Sequence, residues 1–420
     1  MNINQKLYLT FRALRHKNYM LFFTGQCISL VGTWIQQIAI SWLVYRLTHS
    51  ALLMGVIMFA GSIPALLIPP FAGVFIDRIN KHKTLILIQA LFMFEALTLA
   101  ILTLSGIVQV WHIVIITALM GITGAIDMPL RQAFVVKLVD ETNMGNAISL
   151  NSSMFNLARM IGPAIAGVLI AYVGEGTCFL INALSYIAVI GALFAMTINY
   201  KPEFKKKKEN VIHELVNGFQ YSFRSTTIKT ALLYIAVLSF VGMSFQVLMP
   251  IFADKILNGN AQTLGLLMSA SGIGSLFGAL KLASKKNSKG LDKIVSICSL
   301  LLGFGLVGLS FTNITVISAT LLFIIGYAFV TILAACNTII QEHVDEDKRG
   351  RVMSIYTMAF IGVTPFGTLF EGAVAEKIGV PHTFLLNGII MLLFIAFYAN
   401  KLQQPAKEPI KEPAREPQKI

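Results

Sequence analysis

The chain has 420 residues, of which 56% are hydrophobic and only 13% are charged. A soluble domain carries roughly 25% charged residues, so this composition excludes an ordinary soluble enzyme and indicates a surface that mostly faces lipid. The net charge of +13 does not indicate a nucleic-acid partner, because the basic residues lie between apolar runs and form no continuous patch.

Twelve apolar runs follow one another, each long enough to cross a bilayer as a helix. The runs are continuously apolar and lack the alternation of a barrel wall, which excludes transmembrane strands. The sequence therefore predicts an all-α membrane protein with twelve transmembrane helices, near 19–45, 51–75, 84–105, 109–137, 145–173, 177–198, 229–253, 262–284, 291–311, 314–341, 351–376 and 381–400.

A long polar segment separates the first six runs from the last six. We expect a cytoplasmic segment at 1–18, six-helix bundles at 19–198 and 229–400, a linker at 199–228 and a disordered cytoplasmic tail at 401–420. The linker opens with four lysines at 205–208, which a solvated basic linker would also explain. Apolar residues at helical spacing follow, and they favour a helix on the inner leaflet: Ile212, Leu215, Val216, Phe219 and Phe223.

The basic residues predict the orientation. With the N-terminus in the cytoplasm, only Arg46, Lys255 and Lys377 lie outside and Arg159 lies within a span, which leaves the other 29 of the 33 Lys and Arg residues inside. This is the positive-inside bias of a multi-span protein, and it requires an even number of spans. We therefore expect a bacterial inner (plasma) membrane protein with both termini in the cytoplasm.

The two halves of the sequence match each other. Val139, Asp140 and Glu141 recur 205 residues later as Val344, Asp345 and Glu346. The same offset pairs residues along the fifth and sixth spans with the eleventh and twelfth: Gly145 with Gly350, Ser149 with Ser354, Gly162 with Gly367, Gly167 with Gly372, Gly174 with Gly379, Phe179 with Phe384, Leu180 with Leu385 and Asn182 with Asn387. A parallel repeat of six spans is typical of transporters whose halves rock about a central site.

A motif follows the second span, formed by Gly73, Asp77, Arg78, Asn80, Lys81 and Lys83. It resembles the cytoplasmic loop signature of the major facilitator superfamily. Asn80 stands where the pattern has a second glycine, and Asn tolerates a left-handed turn. The resemblance implies that Gly73, Asp77, Arg78 and Lys81 form a cytoplasmic gate, with Asp127 as the matching acid on the fourth helix.

The fifth span carries Arg159, Gly162, Pro163 and Gly167, which look like the Gly-Pro signature of antiporters in the same superfamily. Small residues allow a close approach to a neighbouring helix, and proline frees a backbone carbonyl. The first span and the stretch from Asp127 to Gln132 are similar to the bacterial enterobactin-exporter-like group. Thr117 stands where many proton-coupled members carry an arginine, so the resemblance implies no proton coupling through that position.

Inserting a charged residue at the centre of a span costs roughly 2.5–3.5 kcal/mol, so each such residue is a candidate for a functional or structural role. Asp127 and Arg131 are four residues apart and can pair, and we interpret both as gate residues. Arg159 is interpreted as a substrate or gate residue, with a structural ion pair as the alternative. Glu95 and Glu371 are the candidate proton carriers; for Glu95, a protonated carboxyl packed between helices is the favoured alternative.

Polar residues form a stripe on the first span. Such a stripe faces a cavity or bonds to adjacent helices, and the pattern alone does not separate the two. Because the first helix of each half lines the cavity in the family, we predict a substrate cavity formed by Gln26, Ser29, Thr33, Trp34, Gln37, Met243 and Gln246. For Met243, ordinary bundle core is the alternative.

No nucleotide-binding loop and no catalytic motif occurs in the sequence, which favours a transporter over an enzyme. The sequence predicts a monomeric secondary transporter, exporting a siderophore or drug in exchange for protons or another coupling ion. Uptake or lipid movement by the same fold is the alternative, and a sensor or intramembrane enzyme ranks last. We expect no cofactor and no metal, since the four isolated cysteines have no metal-ligand spacing.

Overall fold

The computed structural model describes residues 11–68, 79–197, 211–285, 289–346 and 348–402. Part of the predicted cytoplasmic gate lies outside these ranges, namely Gly73, Asp77 and Arg78. The lysines at 205–208 and the predicted tail from residue 403 also lie outside them.

Five helices form the first half of the described chain. They are α1 (Lys17–Thr48), α2 (Ala51–Leu67), α3 (Lys81–Leu104), α4 (Val110–Val135) and α5 (Glu141–Phe194). The last contains two spans, because Gly174 interrupts it with a left-handed φ of 77° and a ψ of 171°. Only glycine adopts such a conformation at little cost, so the chain reverses there.

The second half begins with the linker helix α6 (Val211–Arg224). Six membrane-spanning helices follow: α7 (Thr226–Ile256), α8 (Ala261–Ala283), α9 (Leu291–Phe311), α10 (Thr315–His343), α11 (Arg349–Ile378) and α12 (Val380–Leu402). Helices α7 and α11 contain π-helical turns, at 238–243 and 252–256 in α7 and at 358–362 in α11. Such turns redirect side chains within a span and occur often at functional sites.

The predicted twelve spans agree with this architecture. Within the described ranges, ten helices are long and apolar enough to cross a membrane, and α5 crosses twice because of its break. Helix α2 is apolar but has 17 residues, and it ends where the described range ends. Together these helices give the predicted number.

Side chains cap the N-termini of helices α2 and α3. Ser50 Oγ accepts a hydrogen bond from the Leu53 amide at 3.2 Å, and Asn80 Oδ1 accepts one from the Lys83 amide at 3.1 Å. Asn80 has a φ of −74° and a ψ of 100°, so it does not use the left-handed conformation that asparagine tolerates. Asparagine acts instead as the N-cap of α3.

The linker helix α6 packs against the start of α11. A Cβ on Gly218 would lie 3.1 Å from the Cβ of Arg351, and the Tyr221 hydroxyl donates a hydrogen bond of 2.9 Å to Asp345. Phe219 and Phe223 remain exposed on this helix. Its location on the inner leaflet stays a prediction.

The repeat in the sequence recurs in the conformation. Gly379, the partner of Gly174, ends α11 with a φ of 83° and a ψ of 160°. The Ser149 hydroxyl donates a hydrogen bond of 2.8 Å to the Gly145 carbonyl, and its repeat partner Ser354 donates one of 3.0 Å to the Gly350 carbonyl. The two halves therefore repeat their local geometry as well as their residues.

Glycine backbones from the two halves meet at one end of the bundle. We call the end where α1 begins and α12 ends the proximal end, and the opposite end the distal end. Near the distal end, a Cβ on Gly55 of α2 would lie 2.6 Å from the Thr368 carbonyl oxygen of α11, and one on Gly372 would lie 2.5 Å from that of Ala51. We call this contact between α2 and α11, together with an equivalent contact between α5 and α8, the distal seam.

The second contact of the distal seam joins α5 to α8. A Cβ on Gly265 would lie 2.6 Å from the Pro163 carbonyl oxygen, and one on Gly167 would lie 2.7 Å from that of Ala261. Pro163 and Gly167 precede Thr368 and Gly372 by 205 residues, and Ala51 and Gly55 precede Ala261 and Gly265 by 210. The repeat thus generates both contacts, and each requires glycine so that the two backbones can approach closely.

We predict that Gly372→Ala destabilises the protein by about 1–3 kcal/mol, because the added methyl group meets a backbone oxygen that cannot rotate away. Thermal unfolding in detergent micelles measures the effect. Gly350→Ala is the matched control on the same helix, since nothing lies within 4 Å of its built Cβ. Equal melting temperatures for the two variants would contradict a tightly packed distal seam.

Candidate functional site

A cavity of about 380 Å³ lies between the two halves. The first half contributes most of its wall from α1, α2 and α4, and the second half closes it with α7 and α11. Its described lining consists of Thr33, Gln36, Gln37, Ile40, Met58, Gly61, Ser62, Ala65, Thr117, Met120, Gly121, Gly124, Ala125, Met243, Phe360, Ile361 and Thr364. The volume is in the range of small-molecule sites.

The lining is apolar with a few amide and hydroxyl groups. Three methionines and one phenylalanine supply adaptable apolar surface, and none of the described lining residues is ionisable. Such a wall suits a small amphipathic molecule, whose polar groups can bond to the glutamines and threonines.

The predicted cavity residues divide into two groups. Thr33, Gln37 and Met243 line the cavity. The others are not part of the described lining: Gln26 and Ser29 are 2% and 3% exposed, Trp34 packs on Gly162, and Gln246 is half-buried on α7.

Gln36 lines the cavity, although the polar stripe did not include it. Its Oε1 accepts a hydrogen bond of 2.7 Å from Asn182, and its Nε2 lies 3.2 Å from the sulfur of Met120. Asn182 is one of the residues that the internal repeat retains. A polar residue retained within a span needs a polar partner, and this need was the signal in the sequence that could have indicated Gln36.

The antiporter-like residues occupy the border between the halves. Gly162 contacts Trp34, and Pro163 and Gly167 form part of the distal seam. The guanidinium of Arg159 lies 5.9 Å from the ring centre of Trp34 on α1 and 6.0 Å from that of Phe329 on α10. The side chain therefore reaches both halves.

The described gate residues cluster between α3 and α4. Arg131 donates to Asp127, as their spacing allowed, and Gln89 donates a second hydrogen bond of 2.9 Å to the same carboxylate. Asp127 is only 1% exposed, and Lys81 is also buried. Burying this ion pair is tolerable because the carboxylate keeps several donors. Its role in gating stays a prediction.

Both candidate proton carriers are buried away from the cavity lining. Thr123 donates a hydrogen bond of 2.7 Å to Glu95 between α3 and α4, and Asn387 donates one of 2.5 Å to Glu371 between α11 and α12. In each carboxyl group, the second oxygen is buried without a partner among the described residues. Glu371 directly precedes Gly372 of the distal seam.

Two carboxylates of the second half bond to the first half at the distal end. Tyr45 of α1 donates to Asp254 of α7. Glu376 of α11 accepts hydrogen bonds of 3.1 Å from the Ser50 hydroxyl and from the Leu52 amide in the first turn of α2. A carboxylate there also interacts favourably with the helix dipole. We call these two contacts the distal latch. No pattern in the sequence indicates it, because its partners are 209 or more residues apart.

Comparison with known proteins places these features in a family context. The family described as "Transmembrane secretion effector" matches residues 9–418. The chain is 30% identical to the staphyloferrin A transporter of Staphylococcus aureus, covering 90% of this chain and 96% of that protein. It is 24% identical to the multidrug efflux pump Tap of Mycolicibacterium fortuitum, covering 89% and 93%. The solved nucleoside transporter NupG shares the fold, with a TM-score of 0.72, 12% identity and coverage of 93% and 100%.

We predict that Glu376→Ala weakens the closure of the distal end by about 0.3–1 kcal/mol, because the first turn of α2 loses its negatively charged partner. Electron paramagnetic resonance distances between spin labels at the exposed residues Leu47 and Ile378 should broaden towards longer values. Lys377→Ala, which removes a neighbouring charge outside the latch, is the control. Unchanged distances in Glu376→Ala would show that the latch does not hold the end closed.

Proposed function

Because this chain belongs to the transmembrane secretion effector family of the major facilitator superfamily, we propose that it exports a small amphipathic molecule by alternating access, in exchange for protons. The observation that carries the proposal is the cavity between two halves that are joined at the distal end. A siderophore or a drug is the substrate class that the names of the relatives suggest.

The geometry supports transport by rocking of the halves. The distal seam and the distal latch hold the halves together at one end, while the cavity lies between the helices of both halves. Parallel repeats that meet at a central site can expose that site to one end at a time. The seam and the latch support the interpretation that the distal end is the closed one in this conformation.

The distribution of basic residues supports a cytoplasmic proximal end. The segments that the sequence predicts on the side of the N-terminus hold nearly all of the lysines and arginines, as the positive-inside rule requires of the cytoplasmic side. The present conformation would then be closed towards the outside and ready to take substrate from the cytoplasm or the inner leaflet, which suits an exporter.

Glu371 is the residue that we propose to carry the coupling proton. It is fully buried, and among the described residues no cation pairs with it. Glu371 lies directly before Gly372 of the distal seam. Protonation or deprotonation of the buried carboxyl would therefore change the free energy of keeping the backbones of α2 and α11 in contact. The repeat places Ala166 at the equivalent position of the first half, so this carboxyl belongs to one half alone.

We predict that cells that lack this chain retain a siderophore or dye that cells containing it release. A protonophore should abolish the release, because an ion gradient supplies the energy. Efflux of a panel of siderophores and dyes from preloaded cells measures this. Asp77→Asn is the inactive control, expected to insert normally without transporting. Higher accumulation in cells that contain the chain would indicate uptake and contradict export.

We predict that Glu371→Gln abolishes pH-gradient-driven transport but keeps exchange of labelled for unlabelled substrate, because the amide preserves the packing and cannot release a proton. Transport into proteoliposomes with and without an imposed pH gradient separates the two activities. Glu95→Gln is the matched control, since Glu95 lies away from the distal seam. Retained gradient-driven transport in Glu371→Gln, or its loss only in Glu95→Gln, would overturn the assignment.

A further inference from the structure

One guanidinium lies at the border of the two halves without an anionic partner. Among the residues that the structure describes, Arg131 pairs with Asp127 and Arg46 pairs with Glu175, whereas no carboxylate lies within ion-pair distance of Arg159. Its contacts are the rings of Trp34 and Phe329, at 5.9 and 6.0 Å. Aromatic faces attract a cation but accept none of the directed hydrogen bonds that its five N–H groups can donate.

The side chain of Arg159 is half-buried and makes no hydrogen bond to the described part of the chain. Its nitrogens are not among the fully buried atoms that lack a partner, in contrast to Nε of Arg131. The guanidinium therefore has hydrogen-bond donors left for a molecule that enters the border region.

One of the two rings leads from Arg159 towards the cavity. The ring of Phe329 lies 6.4 Å from that of Phe360, which lines the cavity. Since the described lining itself holds no charge, Arg159 is the cation placed to act on a molecule in this cavity.

We propose that Arg159 binds an acidic group of the transported molecule, which makes the substrate an amphipathic organic anion such as a carboxylic acid. This inference rests on the proposed function, because it names the substrate class of the same cavity. The guanidinium keeps its charge at any physiological pH, and its planar fork matches the two oxygens of a carboxylate. The methionines and phenylalanine of the cavity receive the apolar body.

The position of Arg159 places a bound anion between the two halves. Trp34 belongs to the first half and Phe329 to the second, so a bound carboxylate lies where the halves separate during transport. Binding also neutralises a charge that is costly at this depth of the membrane. The cavity therefore favours an anion over a cation of the same size.

A pair of matched fluorescent probes tests the proposal on the purified full chain in lipid nanodiscs. Dansylglycine carries a carboxylate, and dansylglycinamide has the same body with a neutral amide. Energy transfer from tryptophan to the dansyl group reports binding of both probes. We expect the wild-type chain to bind the acid at least about tenfold more tightly than the amide, as expected for a charged hydrogen-bonded pair.

Variants of Arg159 separate recognition from packing. Arg159→Met should weaken binding of the acid by about tenfold or more and change binding of the amide by less than about twofold. Arg159→Lys should give an intermediate loss, because it keeps the charge but loses the fork, and it serves as the folded variant if Arg159→Met fails to fold. Lys281→Met is the control: Lys281 also lies over a ring, 5.7 Å from that of Tyr327, but is exposed and does not line the cavity.

The possible outcomes are distinguishable. Equal binding of the two probes by the wild-type chain, or equal weakening of both in the Arg159 variants, would overturn the anion assignment and leave Arg159 a packing role. If the acid preference follows Arg159 but cells containing the chain do not release dansylglycine, the assignment stands and the proposed export fails for this probe. If release occurs without any dependence on Arg159, export stands and the assignment is overturned.

Discussion

The close contact of glycine backbones in the distal seam is the constraint on which the rest of the structure depends. Apolar side chains gain little by leaving lipid for one another, so packing of small residues and a few polar contacts must hold the halves together. Two equivalent crossings, one through Gly55 and Gly372 and one through Gly167 and Gly265, provide this packing on both sides of the cavity. The cavity lies between helices that these crossings bring together.

The charged groups also divide into those that pair within one half and those that lie between the halves. The ion pairs among the described residues lie within one half, as in the pair of Asp127 with Arg131 and that of Arg46 with Glu175. Such pairs stay intact when the halves move relative to each other. Among the described residues, the polar groups that cross between the halves are the distal latch at one end and Arg159 beside the cavity. If the halves move as units, as we propose, the environment of these groups changes during transport, and coupling and substrate recognition can act there.

Much of the fold could be predicted because lipid imposes simple rules. Long apolar runs predicted the spans, and the repeat predicted that Gly174 and Gly379 hold equivalent places, which their similar φ and ψ values confirm. The site was less accessible to sequence reasoning. A polar stripe on α1 cannot distinguish the cavity from neighbouring helices, so Thr33 and Gln37 were identified together with the buried Gln26 and Ser29.

Contacts between the halves were the hardest to foresee. Tyr45 and Asp254 are 209 residues apart, and Glu376 and Ser50 are 326 apart, with no pattern in the sequence that relates them. The sequence alone is compatible with a substrate, gate or ion-pair role for Arg159, because a sequence does not show which partners reach a side chain. Only the placement of Trp34 and Phe329 around it, with no acid nearby in the described chain, favours one of these roles.

The central claim is that the two halves move as units and open at one end when they close at the other. Paired distance measurements by electron paramagnetic resonance in lipid nanodiscs test it directly, with labels at Leu47 and Ile378 for the distal end and at Thr142 and Ser284 for the proximal end. Under a change of pH or addition of substrate, we expect the distal distance to lengthen as the proximal distance shortens. Distances that change together in the same direction, or at one end alone, would contradict it.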